Sequence, residues 1–285
     1  MKANKTWALV LMGGGARGLA HVGVLRVLER NGLVPDVIAG TSMGAIVGGL
    51  YAAGLSSAKL TGMLSSLPLE DGEGNRPHRR LFKRPKNLFE YILLSDYKNR
   101  IYGKIGLGKG DAIEAYLKEC VGDVRIEDLP IRFLCNAVDL VSGKEVVFAK
   151  GELCRALRAT MSLPLVFAPV KMGRMLLLDG GIVSSAPVEA AREAGAKAAV
   201  LVDIHRPLKK VSPSKIKSAF QVVQRTMDVA WAASYSERAR HADFVLRIPI
   251  DQPILDFSEA RKIAMKGERV TEANLEALKK AIGAA

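Results

Sequence analysis

The stretch from Asp36 to Gly44, DVIAGTSMG, limits the architecture of this 285-residue chain more than any other. Its apolar beginning reads as a short strand and its end as the first turn of a small-residue helix, with almost nothing between them. A strand that passes so abruptly into a helix forces its pivot residue into a backbone conformation that ordinary side chains avoid. The pivot is Ser42, and two residues to either side stand Gly40 and Gly44, which have no Cβ to collide. In this setting G-x-S-x-G is a nucleophile elbow: Gly40, Thr41, Met43 and Gly44 shape the turn, and Ser42 projects from it. The following helix points its first amides and its positive dipole end at the same place. Taken alone, the pentapeptide is also compatible with a plain glycine-rich turn.

The alternation begins earlier. Residues 7–12 (WALVLM) are a continuous apolar run that suits a strand buried on both faces. Residues 17–31 carry apolar side chains at helical spacing and stop at Asn31-Gly32. A βαβα order predicts parallel strands covered by helices, an α/β fold. Residues 56–110 are irregular and read as a loop-and-helix insertion. Strands are expected again at 131–138 and 145–148, then a helix at 151–160. A hairpin through Met172-Gly173 returns along 175–179, and a helix opens at Pro187 and ends at Gly195. A buried strand follows at 198–204, then a helix near 214–240, a strand at 243–248 and a helix near 257–281. These make one α/β domain with a largely helical C-terminal part.

Composition narrows the classes. Forty-two Lys and Arg against 29 Asp and Glu give +13, and 49% of the residues are hydrophobic, which is globular rather than disordered. Cys120, Cys135 and Cys154 are odd in number and contain no CxxC, so neither a disulfide framework nor a zinc site is expected. The first apolar run is too short for a signal-peptide core, and no stretch approaches the roughly 18 uncharged residues of a membrane span. A cytoplasmic protein is the expectation. The charge is concentrated at 76–109, where ten Lys and Arg face only Glu90 and Asp96 among interleaved aromatics. Such a segment can lie on anionic lipid headgroups, track a nucleic-acid backbone, or be a solvated insertion.

The second motif is Gly13-Gly14-Gly15-Ala16-Arg17-Gly18, between the first strand and the first helix. It contains G-x-G-x-x-G, and Asp36 lies where a ribose-binding acid is sought. That acid belongs at the end of the second strand, however, and Asp36 begins it. The other use of such a loop is an oxyanion hole, since successive glycines let backbone N–H groups converge on one point. Arg17 places a positive charge beside it.

A serine nucleophile needs a base. His78 falls in the basic insertion, His241 follows an Arg-rich helix end, and His21 sits one turn into a helix as a packing residue. His205, after a buried strand, would complete a Ser–Asp–His order with Ser42 and Asp179. The alternative is Asp179 itself, delivered by an apolar strand to Gly180-Gly181, where a partly desolvated carboxylate can act directly. Asp-Gly is also an ordinary turn signal.

Together the three motifs resemble the signature of the patatin-like phospholipases, in order, spacing and linking text. GLAHVGVLRVLE follows the first motif, RALRATMSLPLVFAPV precedes the third, and APVEAAREAGA follows it. The resemblance covers residues 7–205 and implies a catalytic domain there, with the basic, lid-like insertion at 56–110. Residues 206–285 would complete the same domain. It implies a three-layer fold whose mainly parallel central sheet is flanked by helices. It further implies a Ser–Asp dyad of Ser42 and Asp179, and an oxyanion hole from Gly13, Gly14, Gly15 and Gly18 helped by Arg17. The implied reaction is hydrolysis of acyl esters of phospholipids, lysophospholipids or related lipids through an acyl-enzyme, with no metal or organic cofactor. The basic 76–109 segment then reads as a contact with anionic membrane and not with nucleic acid, and the protein as cytoplasmic or peripheral on the membrane. The alternative is a non-catalytic lipid-binding or regulatory protein on the same fold.

Overall fold

A computed structural model describes residues 6–66, 111–164 and 166–284. The basic segment 76–109 and His78 lie outside these described residues.

The chain enters as β1 (Trp7–Leu11), every residue of which is buried. It continues through a 3-10 turn (Gly15–Leu19) into α1 (Ala20–Arg30), then β2 (Val37–Gly40) and α2 (Met43–Ala52). Next come α3 (Ser57–Ser66), α4 (Asp111–Val121), β3 (Arg132–Asp139), β4 (Glu145–Phe148) and α5 (Leu153–Thr160). The hairpin β5 (Val170–Met172) and β6 (Met175–Asp179) leads to a short turn of 3-10 helix (Gly180–Ile182), α6 (Val188–Glu193) and β7 (Ala198–Asp203). The last part is α7 (Ala219–Ala239), β8 (Phe244–Arg247), α8 (Ala260–Ala273) and α9 (Leu275–Ile282).

These strands form one mixed sheet in the order β5-β6-β3-β2-β1-β7-β8, with β4 paired to β3 off that path. The run β3-β2-β1-β7-β8 is parallel, while β4 and β6 are antiparallel to β3, and β5 to β6. Continuous apolar strands such as WALVL and AAVLVD belong in the middle of such a sheet, where helices cover both faces.

Register sets the height of the site. Leu11 pairs with Gly40, Gly40 with Cys135, and two residues further along β3 Ala137 pairs with Asp179. Gly13 and Ser42, each two residues beyond its strand partner, therefore stand level with Asp179. One edge of the sheet thus collects the ends of β1, β2 and β6.

Three expected elements differ in detail. The first helix opens with the 3-10 turn, so its α-helical part begins at Ala20. The helix near 214–240 is a 3-10 turn at Pro213–Lys215 followed by α7. The C-terminal helix is two, because Asn274 leaves helical geometry at φ −114° and its side-chain amide caps the Val270 carbonyl at 2.8 Å.

Helices α1 and α8 cross at very close range. A Cβ on Gly23 would stand 2.0 Å from the Ala264 carbonyl oxygen, and one on Gly267 would stand 2.1 Å from that of Ala20. The crossing is rimmed by an ion pair between Arg26 and Glu268 at 2.7 Å and a second between Arg30 and Glu272.

Candidate active site

At the end of β2 the backbone reverses at Ser42, which has φ 54° and ψ −124° and is the only non-glycine residue with positive φ among those described. Holding a serine there costs about 1–3 kcal/mol, which the surrounding packing must sustain. Both flanking glycines are required by close approach. A Cβ on Gly40 would lie 2.7 Å from the Ala45 backbone, and one on Gly44 would lie 2.1 Å from the Leu11 carbonyl oxygen. The Ser42 N–H donates to the Thr160 hydroxyl at 2.9 Å, so the end of α5 fixes the elbow from outside.

Thr41 is fully buried and donates its hydroxyl to Asn136 Oδ1 at 2.7 Å. The Asn136 amide in turn donates to the Ser184 carbonyl at 2.9 Å and to Glu145 at 2.6 Å. This chain of bonds ties the elbow to β3, β4 and the segment that follows β6.

Asp179 is 3% exposed, and the Ser42 side chain lies near enough to favour its ionised form. Its Oδ1 accepts the Gly181 N–H at 2.8 Å. Burial pushes its carboxyl up to about 6, and the nearby Ser42 side chain and the Gly181 N–H limit the rise. Each glycine of the D-G-G turn has a local reason. A Cβ on Gly180 would sit 2.4 Å from Asn136 Oδ1, and one on Gly181 would sit 3.1 Å from Asp179 Oδ1.

The glycine loop passes beside the serine: a Cβ built on Gly13 would be 3.4 Å from that of Ser42. Within the loop the amides divide. The Gly13 N–H is engaged by the Ser185 carbonyl at 2.9 Å, and that of Ala16 by the Ile254 carbonyl at 2.8 Å. Among the described residues nothing accepts from the N–H groups of Gly14, Gly15 or Met43. Gly15 has φ 56° and packs so closely on Ile254 that a Cβ would lie 2.0 Å from its carbonyl oxygen. Gly18 gives room to the Met43 side chain, 2.6 Å from where its Cβ would be.

Arg17 turns away from the elbow. Its Nε donates to the Gln252 carbonyl at 2.9 Å, and its guanidinium lines a pocket of about 190 Å³ with His205, Arg206, Arg225, Asp228 and Trp231. Burial, followed by the Arg206 charge, lowers its affinity for a proton. His205 is in this pocket too, with its backbone N–H on Asp203 Oδ1 at 2.7 Å, while the carboxylate beside the Ser42 side chain is that of Asp179. A dinucleotide does not fit the loop. Ile254 fills the space against Gly15, and Asp36 spends its carboxylate on the Trp7 N–H at 2.8 Å, at the opposite end of β1.

Sequence reasoning missed Thr160 and Asn136, the two residues that hold the elbow in place. Thr160 lies in the text RALRATMSLPL, and Asn136 is the one amide in the apolar run IRFLCNAV. A polar side chain in the middle of an apolar, buried strand is the signal that was there to read.

His21 is buried, as expected of a packing residue, but it also makes a specific bond. Its Nε2 lies 2.8 Å from the Met12 carbonyl, which fixes the tautomer with the proton on Nε2. Burial lowers its pKa to about 4. A histidine held neutral in this way stabilises the fold above its unfolded value of 6.5, and that stability is lost as pH falls toward 4. His21→Gln retains a donor toward Met12 but cannot charge. In urea denaturation the stability of wild type relative to this variant is expected to grow by about 3 kcal/mol from pH 4 to pH 7. A difference that does not change with pH would show that His21 does not titrate in this window.

Among the described residues no cluster of His, Cys, Asp and Glu has the form of a metal site, and no helix is long and apolar enough to cross a membrane. The family profile described as patatin-like phospholipase matches residues 9–192. A protein named lysophospholipase NTE1 from Debaryomyces hansenii is 32% identical over 202 residues, 71% of this chain and 12% of that protein. Its namesake in Saccharomyces cerevisiae is 32% identical over 196 residues, 69% of this chain and 10% of that protein. This chain therefore spans about an eighth of the length of the curated relatives it matches. Among solved structures, VipD from Legionella pneumophila superposes with TM-score 0.53 at 14% identity, over 97% of this chain and 67% of that one. ExoU, solved with SpcU from Pseudomonas aeruginosa, gives TM-score 0.51 at 16% identity, over 99% of this chain and 53% of that one. At such identities the two structures speak for the fold alone.

Proposed function

The chain belongs to the patatin-like phospholipase family, and from that premise we propose that it is a serine lipid acyl hydrolase acting through Ser42 and Asp179. The observation that carries this reading is the Ser42 side chain, on its strained turn, placed beside a buried carboxylate raised toward neutrality. A base with a pKa of about 6 is mostly ionised at neutral pH and still basic enough to take a proton in a transition state.

In the first half-reaction Asp179 accepts the Ser42 hydroxyl proton as Oγ adds to the ester carbonyl carbon. The oxyanion is received by the unengaged N–H groups of Gly14, Gly15 and Met43, each such donor being worth about 100- to 1000-fold in rate. Gly13, Gly18 and Arg17 shape the loop that presents them. The C–O bond to the leaving alcohol then breaks, Asp179 returns the proton to that oxygen, and the acyl group remains on Ser42. Water gives its proton to Asp179 as it attacks the acyl-serine. Collapse of this second intermediate releases the fatty acid, and the proton passes back to Ser42 Oγ.

The relatives' name makes single-chain phospholipids the first substrates to try. The same catalytic unit includes the C-terminal residues from 206 onward, whose strand and helices continue the sheet and its cover. The test is hydrolysis of a lysophosphatidylcholine and of soluble p-nitrophenyl acyl esters, with intact-mass detection of a single fluorophosphonate adduct on Ser42. Absence of both adduct and turnover in folded protein would favour a lipid-binding or regulatory role.

The pH profile is the more discriminating measurement. kcat/KM is expected to rise about tenfold per pH unit below 6 and to level off above it, since the base must be ionised. A plateau that extends unchanged to pH 4.5 would exclude Asp179 as the titrating base.

A further inference from the structure

The segment from Arg206 to Met227 holds six Lys and Arg and no Asp or Glu. Eleven large hydrophobic side chains are exposed among the described residues, and six of them are here or just beyond: Leu208, Val211, Ile216, Val222, Val223 and Val229. On α7, Val222, Val223, Thr226, Val229 and Ala230 are all exposed. At 3.6 residues per turn they share one arc of about 120°, on which no charged residue falls between Ala219 and Tyr235. A helix in a soluble protein ordinarily shows the opposite pattern, with its uncharged stripe turned inward. Here Arg225, Asp228 and Trp231 face the pocket and the valines face out.

Cations stand at the N-terminal approach to this apolar stripe. Lys209, Lys210, Lys215 and Lys217 are exposed on the approach to α7. Arg206 and Lys209 share Asp251 at 3.4 and 3.0 Å, whereas no carboxylate among the described residues pairs with Lys210, Lys215 or Lys217. An apolar strip bordered by uncompensated lysines matches the boundary between acyl chains and anionic headgroups. A nucleic acid would use the charge and leave the valines unexplained.

Position adds to the case. Helix α7 packs against the Gly180–Ile182 turn immediately after Asp179, and the pocket beneath it contains Arg17 of the glycine loop. We infer that residues 206–230 form a docking surface for anionic lipid bilayers, on which the valine face of α7 enters the interface and the lysines meet the headgroups. The inference goes beyond the hydrolase reading and does not depend on it, because binding to vesicles requires no turnover.

The experiment is co-sedimentation of the full chain with phosphatidylcholine vesicles containing about a third phosphatidylserine, with hydrolysis of a soluble p-nitrophenyl ester as a separate readout. Each lysine near an anionic surface contributes about fivefold in affinity, so Lys210→Gln, Lys215→Gln and Lys217→Gln together are expected to weaken binding about 100-fold. Val222→Ser with Val229→Ser is expected to weaken it about tenfold. In both variants the melting temperature and the rate on the soluble ester stay at wild-type values. A control variant neutralises Arg79, Arg80, Lys83 and Arg84 in the other basic segment. The inference is overturned if the lysine variant binds like wild type, or if only the control variant loses binding. It is also overturned if the valine variant is unaffected while duplex DNA binds as tightly as the vesicles.

Discussion

Asp179→Asn is expected to do two things of opposite sign. Turnover should fall by about 10⁴-fold, because the amide cannot accept the Ser42 proton. Stability at pH 8 should rise. The folded protein holds the Asp179 carboxyl at about 6 against 3.8 for the free side chain, so in the native state the ionised form is disfavoured. The sign follows from proton counting. Between pH 3.8 and 6 the unfolded chain has released the proton and the folded one has not, so stability falls as pH rises through this window. Above it the full penalty of about 3 kcal/mol persists. Asparagine removes that penalty and keeps the shape, so its gain over wild type should be near zero at pH 4 and approach that figure at pH 8. Urea denaturation at both pH values, beside the rate on a soluble ester, checks both effects. Ser42→Ala should lose at least as much turnover, and with it the fluorophosphonate adduct, without the pH-dependent gain. A variant Asp179→Asn that is inactive but no more stable at pH 8 would mean the carboxylate is solvated in the free protein.

Gly44→Ala is expected to be severely damaging despite adding a single methyl. The added methyl meets the Leu11 carbonyl oxygen at 2.1 Å and the Met12 carbonyl oxygen at 2.8 Å, and neither can yield without moving the central strand. A loss of more than about 4 kcal/mol is expected, enough to leave little folded protein. Gly62→Ala is the natural comparison, because nothing lies within 4 Å of its Cβ position on α3. That variant should gain about 0.5–1 kcal/mol through helix propensity. If the two variants show the same urea midpoint, the close approach of α2 to β1 is not as described.

Much of the candidate site could be read from the sequence, because it is written in residues with few other uses. A glycine two places either side of a serine, at the end of an apolar run, admits few conformations. Continuous runs such as WALVL and AAVLVD announced central parallel strands for the same reason: only burial on both faces tolerates them. What escaped was whatever depends on direction. Arg17 stands in the glycine motif, yet its side chain reaches Gln252, far along the chain, and no local pattern specifies that. Thr160 and Asn136 are ordinary polar residues until the fold brings them to the elbow. The helix at 214–240 was legible as a helix, but which side of it faces solvent was not, so its outward valines were invisible. Asn274 ends one helix and begins another inside what reads as a single amphipathic stretch.

The crossing of α1 and α8 carries a consequence for descent. With Gly23 against Ala264 and Gly267 against Ala20, the gap between the helices is no wider than two backbones. Neither glycine can gain a side chain without pushing the facing backbone away, so these two positions, set at opposite ends of the chain, should drift as one unit. A lineage that admits a larger residue at either of them must re-space both helices in the same step. Recombination that exchanges only the N-terminal or only the C-terminal part would then yield viable offspring only between parents sharing this spacing.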